Sequence, residues 1–254
     1  MNKKGVLCLT FDNMGHAIEV GQGKRAGPDQ DELDLVVGYP RVFSLLKELD
    51  VSATFFIEGW NALHHPREVS KIAELGYEVG LHGWVHETFH ALPPIEAERV
   101  LIDSLAAFRA LNIRPEGFRA PGGLRGESTL PLLRKLGIKY DCSAYEGSDS
   151  VGPSVLEGDF PSIPFKWPLI DYYQYFMHPD GPQSPLQLES LWADELDAAA
   201  ERSAIITIIF HPFVSGNDPD KFATMERLLK RAKANSHLEI LSAGELAGRL
   251  LQNA

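Results

Sequence analysis

The sequence predicts an α/β fold in which a parallel sheet closes into a barrel and is covered by helices. Short, mostly apolar runs alternate with segments of helical periodicity along the whole chain. Because these runs are apolar throughout, we expect each strand to be buried on both faces, as in a parallel sheet. About seven strand–helix repeats suit one barrel better than two open sheets. No change of composition marks a linker, so we expect a single domain over residues 1–254.

The first half of the chain supplies four predicted strands and three predicted helices. The apolar run over 5–11 is bounded by turn-forming residues and precedes a polar, Gly-rich loop over 12–34. The other strands are predicted over 53–57, 77–81 and 117–119. Helical spacing of apolar residues begins at Pro40, and again over 69–75 before Gly76 and over 94–111 after Pro93.

The second half continues the alternation around one irregular segment. A helix is predicted over 128–136, ended by Gly137, and a strand over 138–143. Residues 145–187 are rich in Pro, Gly and aromatic residues, and predict an irregular segment with one strand over 162–167. Helices over 188–201, 222–234 and 243–251 then alternate with strands over 204–210 and 238–241.

The chain is acidic, with a formal charge of −11 from 24 Lys and Arg against 35 Asp and Glu. This charge argues against binding to nucleic acid or to an anionic membrane. The two cysteines, Cys8 and Cys142, are too few for a disulfide scaffold. No run reaches the ~20 apolar residues of a membrane helix, and the first apolar run is too short for a secretory signal. We therefore expect a cytoplasmic protein, and the sequence is compatible with a homo-oligomer.

Residues able to carry chemistry lie at or just after the ends of predicted strands, except Asp141, which lies within the strand predicted over 138–143. The carboxyl ends of these strands lie on one face of a parallel barrel. The histidine pair that follows the strand over 77–81 has a spacing of four, which suits a metal site but is a weak signal alone. Together the residues suit metal-assisted hydrolysis, in which a carboxylate activates water and a histidine protonates the leaving group. The full set is Asp12, Asn13, His82, His86, Arg119, Asp141 and His211.

Four motifs in this set resemble those of the polysaccharide deacetylase family, also called the NodB-homology domain or carbohydrate esterase family four. Residues 10–13 read TFDN, similar to the family's TFDD, and residues 82–86 read HGWVH, similar to HxxxH. Residues 119–123 read RAPGG, matching RxPxG, and residues 209–211 end an apolar strand in His. The motifs come in the family's order and span most of the chain. The resemblance implies a distorted (β/α)7 barrel of NodB-homology type, Zn²⁺ or another divalent metal, and hydrolysis of an amide.

The resemblance also implies a role for each residue. Asp12 becomes the catalytic base, and His211 becomes the acid that protonates the leaving nitrogen. Arg119 would orient Asp12, and Asp141 would be the acidic residue that tunes His211. The metal ligands would be His82, His86 and Asn13. The fourth motif is loose here, and the alternative for Asp141 is that it caps the next turn. The alternatives for Arg119 and His211 are a structural ion pair and simple packing.

Asn13 departs from the family pattern, which has an aspartate as the third metal ligand. A neutral amide oxygen is a weaker donor to Zn²⁺ than a carboxylate. Three outcomes are open: Asn13 binds the metal weakly, Asp12 binds it instead and another group or none is the base, or no metal binds. His16 and Glu87 lie nearby in the sequence and are further candidates, although ordinary loop polarity is the better explanation of both.

The substrate is left open among three readings. The main one is hydrolysis of a non-peptide carbon–nitrogen bond in an N-acyl sugar or a small amide. The motifs HGxxHE, RAPGG and YDxS also resemble a branch with metal-independent allantoinases, cyclic-imide hydrolases and peptidoglycan deacetylase homologues, so ring opening of a cyclic amide or imide is the alternative. A degenerate barrel that binds a ligand without turnover is the third. The aromatic stretch over 165–176 is expected either to floor a pocket or to pack on the barrel.

Overall fold

The structure is a computed structural model that describes residues 4–144, 152–156 and 158–253. The strands in these ranges are β1 (Gly5–Asp12), β2 (Thr54–Ile57), β3 (Glu78–Leu81), β4 (Gly117–Phe118), β5 (Tyr140–Asp141), β6 (Ser154–Leu156), β7 (Phe160–Ser162), β8 (Ile205–Phe210) and β9 (Leu238–Leu241). The α-helices are α1 (Ala17–Gly21), α2 (Tyr39–Leu49), α3 (Gly59–His64), α4 (Pro66–Glu74), α5 (Pro94–Ala110), α6 (Thr129–Lys135), α7 (Pro185–Arg202), α8 (Pro219–Ala234) and α9 (Ala243–Gln252). Short helical turns cover Asp34–Gly38, Phe89–Ala91, Trp167–Leu169, Tyr173–Met177 and Pro212–Gly216.

One sheet runs through the molecule in the order β6-β7-β5-β4-β3-β2-β1-β8. Every neighbour pair along this order is parallel except β6 with β7, and β9 pairs in parallel with the first half of β1. The curled sheet forms a half-barrel. It is not closed, because its end strands β6 and β8 do not pair with each other among the described residues. The predicted α/β class and the parallel, barrel-like sheet are confirmed.

β1 lies between β2 and the end strand β8 of this sheet and is buried along its whole length. Its side chains alternate between the two faces, as the period of two in a strand requires. Leu7, Leu9 and Phe11 pack in the main core with the helices, whereas Val6 and Cys8 pack in a separate core with residues of α9. By the same alternation Asp12 belongs to the face of Val6 and Cys8, the inner face of the curled sheet.

Two segments of the predicted secondary structure differ from the structure. The strand expected over 162–167 is wrong, because β7 ends at Ser162 and pairs with β6 as a hairpin. Prolines at 164 and 168 interrupt the following run, since proline cannot donate to a strand ladder. The short helix α1 lies within residues 12–34, which had been predicted as a loop, and the short helix α3 had not been predicted. The part of the irregular segment over 145–151 lies outside the described residues.

Cys8 and Cys142 are both free thiols, and both are buried. Burial raises the pKa of the Cys8 thiol to about 12. None of the helices in the described ranges is long and apolar enough to cross a membrane.

Candidate active site

Asp12 and His211 lie at the matching ends of two neighbouring strands. β1 and β8 are parallel, and Phe11 pairs with Phe210 in their register. The next residue along each strand, Asp12 or His211, therefore lies beside the other at the carboxyl end of the sheet, where strands are ~4.8 Å apart. Only 5% of Asp12 and 9% of His211 is exposed. The structure thus brings together the two residues that the sequence assigned to base and acid.

Arg119 fixes the Asp12 carboxylate. One terminal nitrogen of the guanidinium, Nη1, donates to Asp12 Oδ1 at 2.6 Å and to the Thr10 hydroxyl at 2.9 Å. Its Nε donates to the carbonyl of Cys142 at 3.1 Å. Burial lowers the pKa of Arg119, but the charge and hydrogen bond of Asp12, together with Cys142 and Cys8, outweigh it, so that this pKa is raised above its usual value. Because Arg119 holds Oδ1, Oδ2 is the Asp12 oxygen left to accept a proton.

Asp171 is the carboxylate that holds His211. Its Oδ1 lies 2.6 Å from His211 Nδ1, and its Oδ2 accepts hydrogen bonds from the His211 backbone N–H at 2.9 Å and from the Ser215 hydroxyl at 2.6 Å. Asp171 is completely buried. A carboxylate at Nδ1 fixes the proton there and leaves Nε2 as the nitrogen that can face a substrate.

Asp141, which the sequence had assigned to tuning His211, has other partners. Its carboxylate pairs with Arg125 and accepts hydrogen bonds from the backbone N–H of Ser143 at 3.1 Å and from the Ser143 hydroxyl at 2.6 Å. The bond to the N–H two residues on is the local turn closure typical of aspartate. This corrects the sequence-based assignment: the carboxylate at His211 is Asp171, from the irregular segment, because β5 ends beside β4 and β7 rather than beside β8.

His82 and His86 face each other at the end of β3, with ring centroids 5.1 Å apart. His82 Nδ1 lies 2.9 Å from the carbonyl oxygen of Arg119, so it carries the ring proton and Nε2 has a free lone pair. Burial, followed by neighbouring positive groups that include His211, lowers the pKa of both imidazoles to about 3. Both rings are therefore neutral at pH 7, which is the form that binds metals.

The loop between these histidines is closed by Glu87. Its carboxylate accepts hydrogen bonds from the backbone N–H groups of Trp84 at 2.9 Å and Val85 at 3.1 Å. Gly83 has a φ of +71°, and a Cβ there would meet Glu87 Oε2 at 2.7 Å, so the tight loop requires glycine. Glu87 therefore shapes the loop that carries His86.

Asn13 is held by a buried carboxylate that the sequence reading did not single out. Its Nδ2 donates to Glu58 Oε1 at 2.5 Å, and Glu58 Oε2 accepts from the Met14 backbone N–H and from Asn61 Nδ2. Burial raises the pKa of Glu58 to about 8. Asn13 has a φ of +65°, a left-handed conformation that asparagine tolerates. Its backbone carbonyl accepts a hydrogen bond from the Tyr39 hydroxyl at 2.5 Å.

The donor set meets the needs of a divalent metal only in part. Two neutral imidazoles with a free nitrogen fit two positions of a metal, but a catalytic zinc usually has three protein ligands. Among the described residues no three His, Cys, Asp or Glu side chains converge to hold an ion. A third donor would have to be an oxygen of Asn13, whose nitrogen is committed to Glu58. His16 contacts the buried Glu32 carboxylate instead of the site.

Two residues that matter for this geometry were missed by sequence reasoning. Glu58 directly follows β2, so the rule that strand ends build the site could have identified it. Asp171 follows Ile170, which forms an isolated parallel bridge with Ile209 of β8, and it lies 40 residues from its partner His211. A bridge of one residue leaves no periodic pattern in the sequence, so no local signal identifies Asp171.

Comparisons with known proteins identify the family of the chain and the likeness of its fold. The family model described as polysaccharide deacetylase matches residues 1–140. A peptidoglycan deacetylase of Helicobacter pylori is 26% identical over 248 residues, which cover 85% of this chain and 84% of that protein. A solved structure from Mycobacterium smegmatis, assigned to the polysaccharide deacetylases, has a TM-score of 0.86 at 26% identity, covering 99% of this chain and 92% of that one. Puue allantoinase has a TM-score of 0.81 at 20% identity, covering 97% and 90%, which is a likeness of fold.

Proposed function

The chain belongs to the polysaccharide deacetylase family and is a hydrolase of carbon–nitrogen bonds other than peptide bonds, and we propose that it deacylates an N-acylated amino sugar. The observation that carries the proposal is the pairing of Asp12 and His211 at adjacent strand ends, each held by its own buried partner. Hydrolysis of an amide needs a base for the attacking water and an acid for the departing nitrogen, and this site has one of each.

Asp12 acts as the base in this proposal. Its Oδ2 accepts a proton from water while Arg119 holds Oδ1, and the water oxygen adds to the acyl carbon. Fixing the carboxylate in advance lowers the entropic cost of reaching the transition state.

His211 acts as the acid. Its Nε2 gives a proton to the sugar nitrogen as the carbon–nitrogen bond breaks, which releases a carboxylic acid and a free amine. The Asp171 carboxylate at Nδ1 stabilises the positively charged imidazolium before this transfer and fixes the ring orientation.

His82 and His86 are proposed to hold a divalent cation through their free ring nitrogens, with Asn13 as a weak oxygen donor. Such a cation, when bound, supplies Lewis-acid polarisation of the acyl carbonyl. The two neutral, buried imidazoles support this assignment, and the neutral amide at Asn13 makes weak binding the expected result.

A second candidate function is ring opening of a cyclic amide or imide. Asn13 is neutral and its amide nitrogen is bonded to Glu58, so the site has only two strong metal donors. This favours ring opening, because a substrate carbonyl that is already activated needs less polarisation by a metal. A barrel that binds a ligand without turnover is the remaining alternative, of another class.

The test is acetate release from an N-acetylglucosamine tetramer, measured beside ring opening of a cyclic ureide and a cyclic imide. We expect acetate release, and a loss of about 10²-fold or more in kcat/KM for His211→Ala, as for removal of a general acid. The matched control is His237→Ala, which removes an exposed histidine. Ring opening without acetate release would replace the proposal by the second candidate. Binding of the tetramer without turnover of any substrate would favour the non-catalytic barrel.

A further inference from the structure

A groove lies between α2 and α4, on the helix-covered outer face of the sheet rather than on the inner face that carries Asp12. Its volume is about 490 Å³, which is within the range of pockets that bind small molecules. Apolar side chains of α2 and of the turn before it form its floor, and charged side chains of both helices form its edges. This groove, here called the basic groove, is defined by Tyr39, Phe43, Lys47, Arg67 and Lys71.

The floor of the basic groove is aromatic and is held in place by other parts of the fold. Tyr39 is only 2% exposed, and its hydroxyl donates to the backbone carbonyl of Asn13 at 2.5 Å. The ring centroid of Phe43 lies 5.6 Å from that of Tyr39 and 6.1 Å from that of Tyr77, on which it stacks at an interplanar angle of 12°. Rings fixed in this way lose little further freedom when a ligand packs on them, so the groove is preformed for a flat apolar group.

The edges of the basic groove carry three cations against one carboxylate, Glu68, although the whole chain has a formal charge of −11. Arg67 and Lys71 lie four residues apart on α4 and share one face of that helix, and Lys47 lines the groove from α2. In the part of the chain that the structure describes, Lys47 and Arg67 form no ion pair, and Lys71 has only the exposed Glu74 at 3.8 Å. Their positive charge is therefore available to a ligand.

Helix stability does not explain the two cations of α4. Arg67 lies in the first turn of α4, where a positive charge opposes the helix dipole. Like charges four residues apart on a helix also repel each other. Both effects destabilise α4 slightly, so a binding role accounts for this arrangement better than a structural one.

We propose that the basic groove is a second binding site, which takes a small organic anion that has an apolar ring. The ring packs on Phe43 and Tyr39, and the anionic group pairs with Lys47, Arg67 and Lys71. A neutral ring lacks the ionic contacts, and an inorganic anion lacks the apolar ones. The site lies on a different face of the fold from the candidate active site and does not depend on the proposed deacylation.

The experiment titrates the protein with 8-anilinonaphthalene-1-sulfonate, an anionic aromatic probe whose fluorescence reports binding. The matched neutral probe is N-phenyl-1-naphthylamine, which has the same rings without the sulfonate. We expect the anionic probe to bind about tenfold more tightly than the neutral one, because two or three exposed ionic contacts are added. Added salt should weaken binding of the anionic probe only, since exposed charges are screened.

Variants of the groove itself show where the probe binds. Ser44 is exposed and lines the groove, so Ser44→Lys should lower the Kd of the anionic probe and Ser44→Glu should raise it, each about threefold. The triple variant Lys47→Gln, Arg67→Gln, Lys71→Gln should raise this Kd about tenfold. The expected gain in Ser44→Lys keeps the test decisive even if the triple variant does not fold.

The matched control for the triple variant is Arg99→Gln, Lys135→Gln, Lys139→Gln. These three cations are exposed and lie outside the groove, and their removal changes the net charge by the same amount. We expect the control to leave the Kd of the anionic probe within about twofold of wild type, because distant exposed charges are screened. Circular dichroism checks that each variant is folded.

Three results would overturn the proposal. The first is an equal Kd for the two probes, or no binding of the anionic one. The second is a Kd of the anionic probe that the Ser44 variants and the triple variant leave unchanged, because the probe would then bind another apolar surface. The third is an oligomer, measured by light scattering, that the triple variant dissociates, because a second copy of the chain would then occupy the groove.

Discussion

Asp171→Asn tests which carboxylate serves the proposed acid, because it removes one negative charge and keeps the shape of the side chain. Asp171 accepts from His211 Nδ1, from the backbone N–H groups of His211 and Tyr172, and from the Ser215 hydroxyl. The two backbone groups can only donate, so they compete for the single oxygen of the asparagine side chain. The NH₂ group of the introduced asparagine must then face another donor or the Nδ1 atom of His211. Either arrangement removes the negative partner of the imidazolium.

The size of the loss follows from these contacts. A hydrogen bond to a charged group contributes ~1.5–3 kcal/mol, which corresponds to a rate factor of ~10–150. A wrong tautomer of His211 would add to this loss of rate, since the corresponding aspartate-to-asparagine change in serine-protease triads lowers kcat about 10⁴-fold. We therefore expect kcat/KM for acetate release to fall between about 10²- and 10⁴-fold.

Asp141→Asn is the matched control, because Asp141 is also completely buried but is bonded to Arg125 and Ser143. We expect the kcat/KM of Asp141→Asn to stay within about tenfold of wild type, since the hydrogen bond between Asp171 and His211 is kept. Circular dichroism of both variants at the assay temperature checks that each is folded. Equal losses of kcat/KM in the two variants would refute the assignment of Asp171 as the partner of the acid. So would an Asp171→Asn variant that keeps a third or more of the wild-type kcat/KM.

Two further predictions concern Asn13 and Glu58. Asn13→Asp should raise the zinc content found by elemental analysis, and most clearly in a Glu58→Gln background, because Asn13 Nδ2 lies 2.5 Å from Glu58 Oε1 and the NH₂ group of glutamine can donate to the new carboxylate. Unchanged zinc content in the double variant would argue against position 13 as a ligand. For Glu58, burial raises the pKa from 4.5 to about 8, so its contribution to stability is complete below about pH 4.5 and is lost as the pH rises through 8. In urea unfolding with a chelator present, the free energy of unfolding of wild type should fall by up to about 5 kcal/mol more than that of Glu58→Gln between pH 4.5 and 9. A difference in unfolding free energy that does not change with pH would contradict this.

Most of the proposed site could be located from the sequence for a geometric reason. Asp12, His82, Arg119 and His211 each follow a strand that local periodicity identifies, and the carboxyl ends of parallel strands meet at one edge. Strand identity and direction are therefore enough to bring these residues together, without knowledge of any side-chain contact. The catalytic and metal-binding roles assigned to them remain predictions.

The partners of these residues depended on contacts between distant parts of the chain. Asp141 lay within a predicted strand, but β5 lies on the far side of the sheet from β8, and the partner of Asp141 is Arg125. Glu58 directly follows a strand, yet its raised pKa arises from complete burial, which no local pattern measures.

The sequence by itself determined the parallel α/β sheet, the strand ends that carry Asp12 and His211, and the resemblance to a deacetylase family, because periodicity and short motifs are properties of neighbouring residues. Only the tertiary structure decided that Asp171 holds His211, and that Tyr172 and Phe213 flank the same ring. These contacts join an irregular segment to the end of β8 across about 40 residues of chain, and such closures are fixed by packing and burial of the whole fold rather than by local preference.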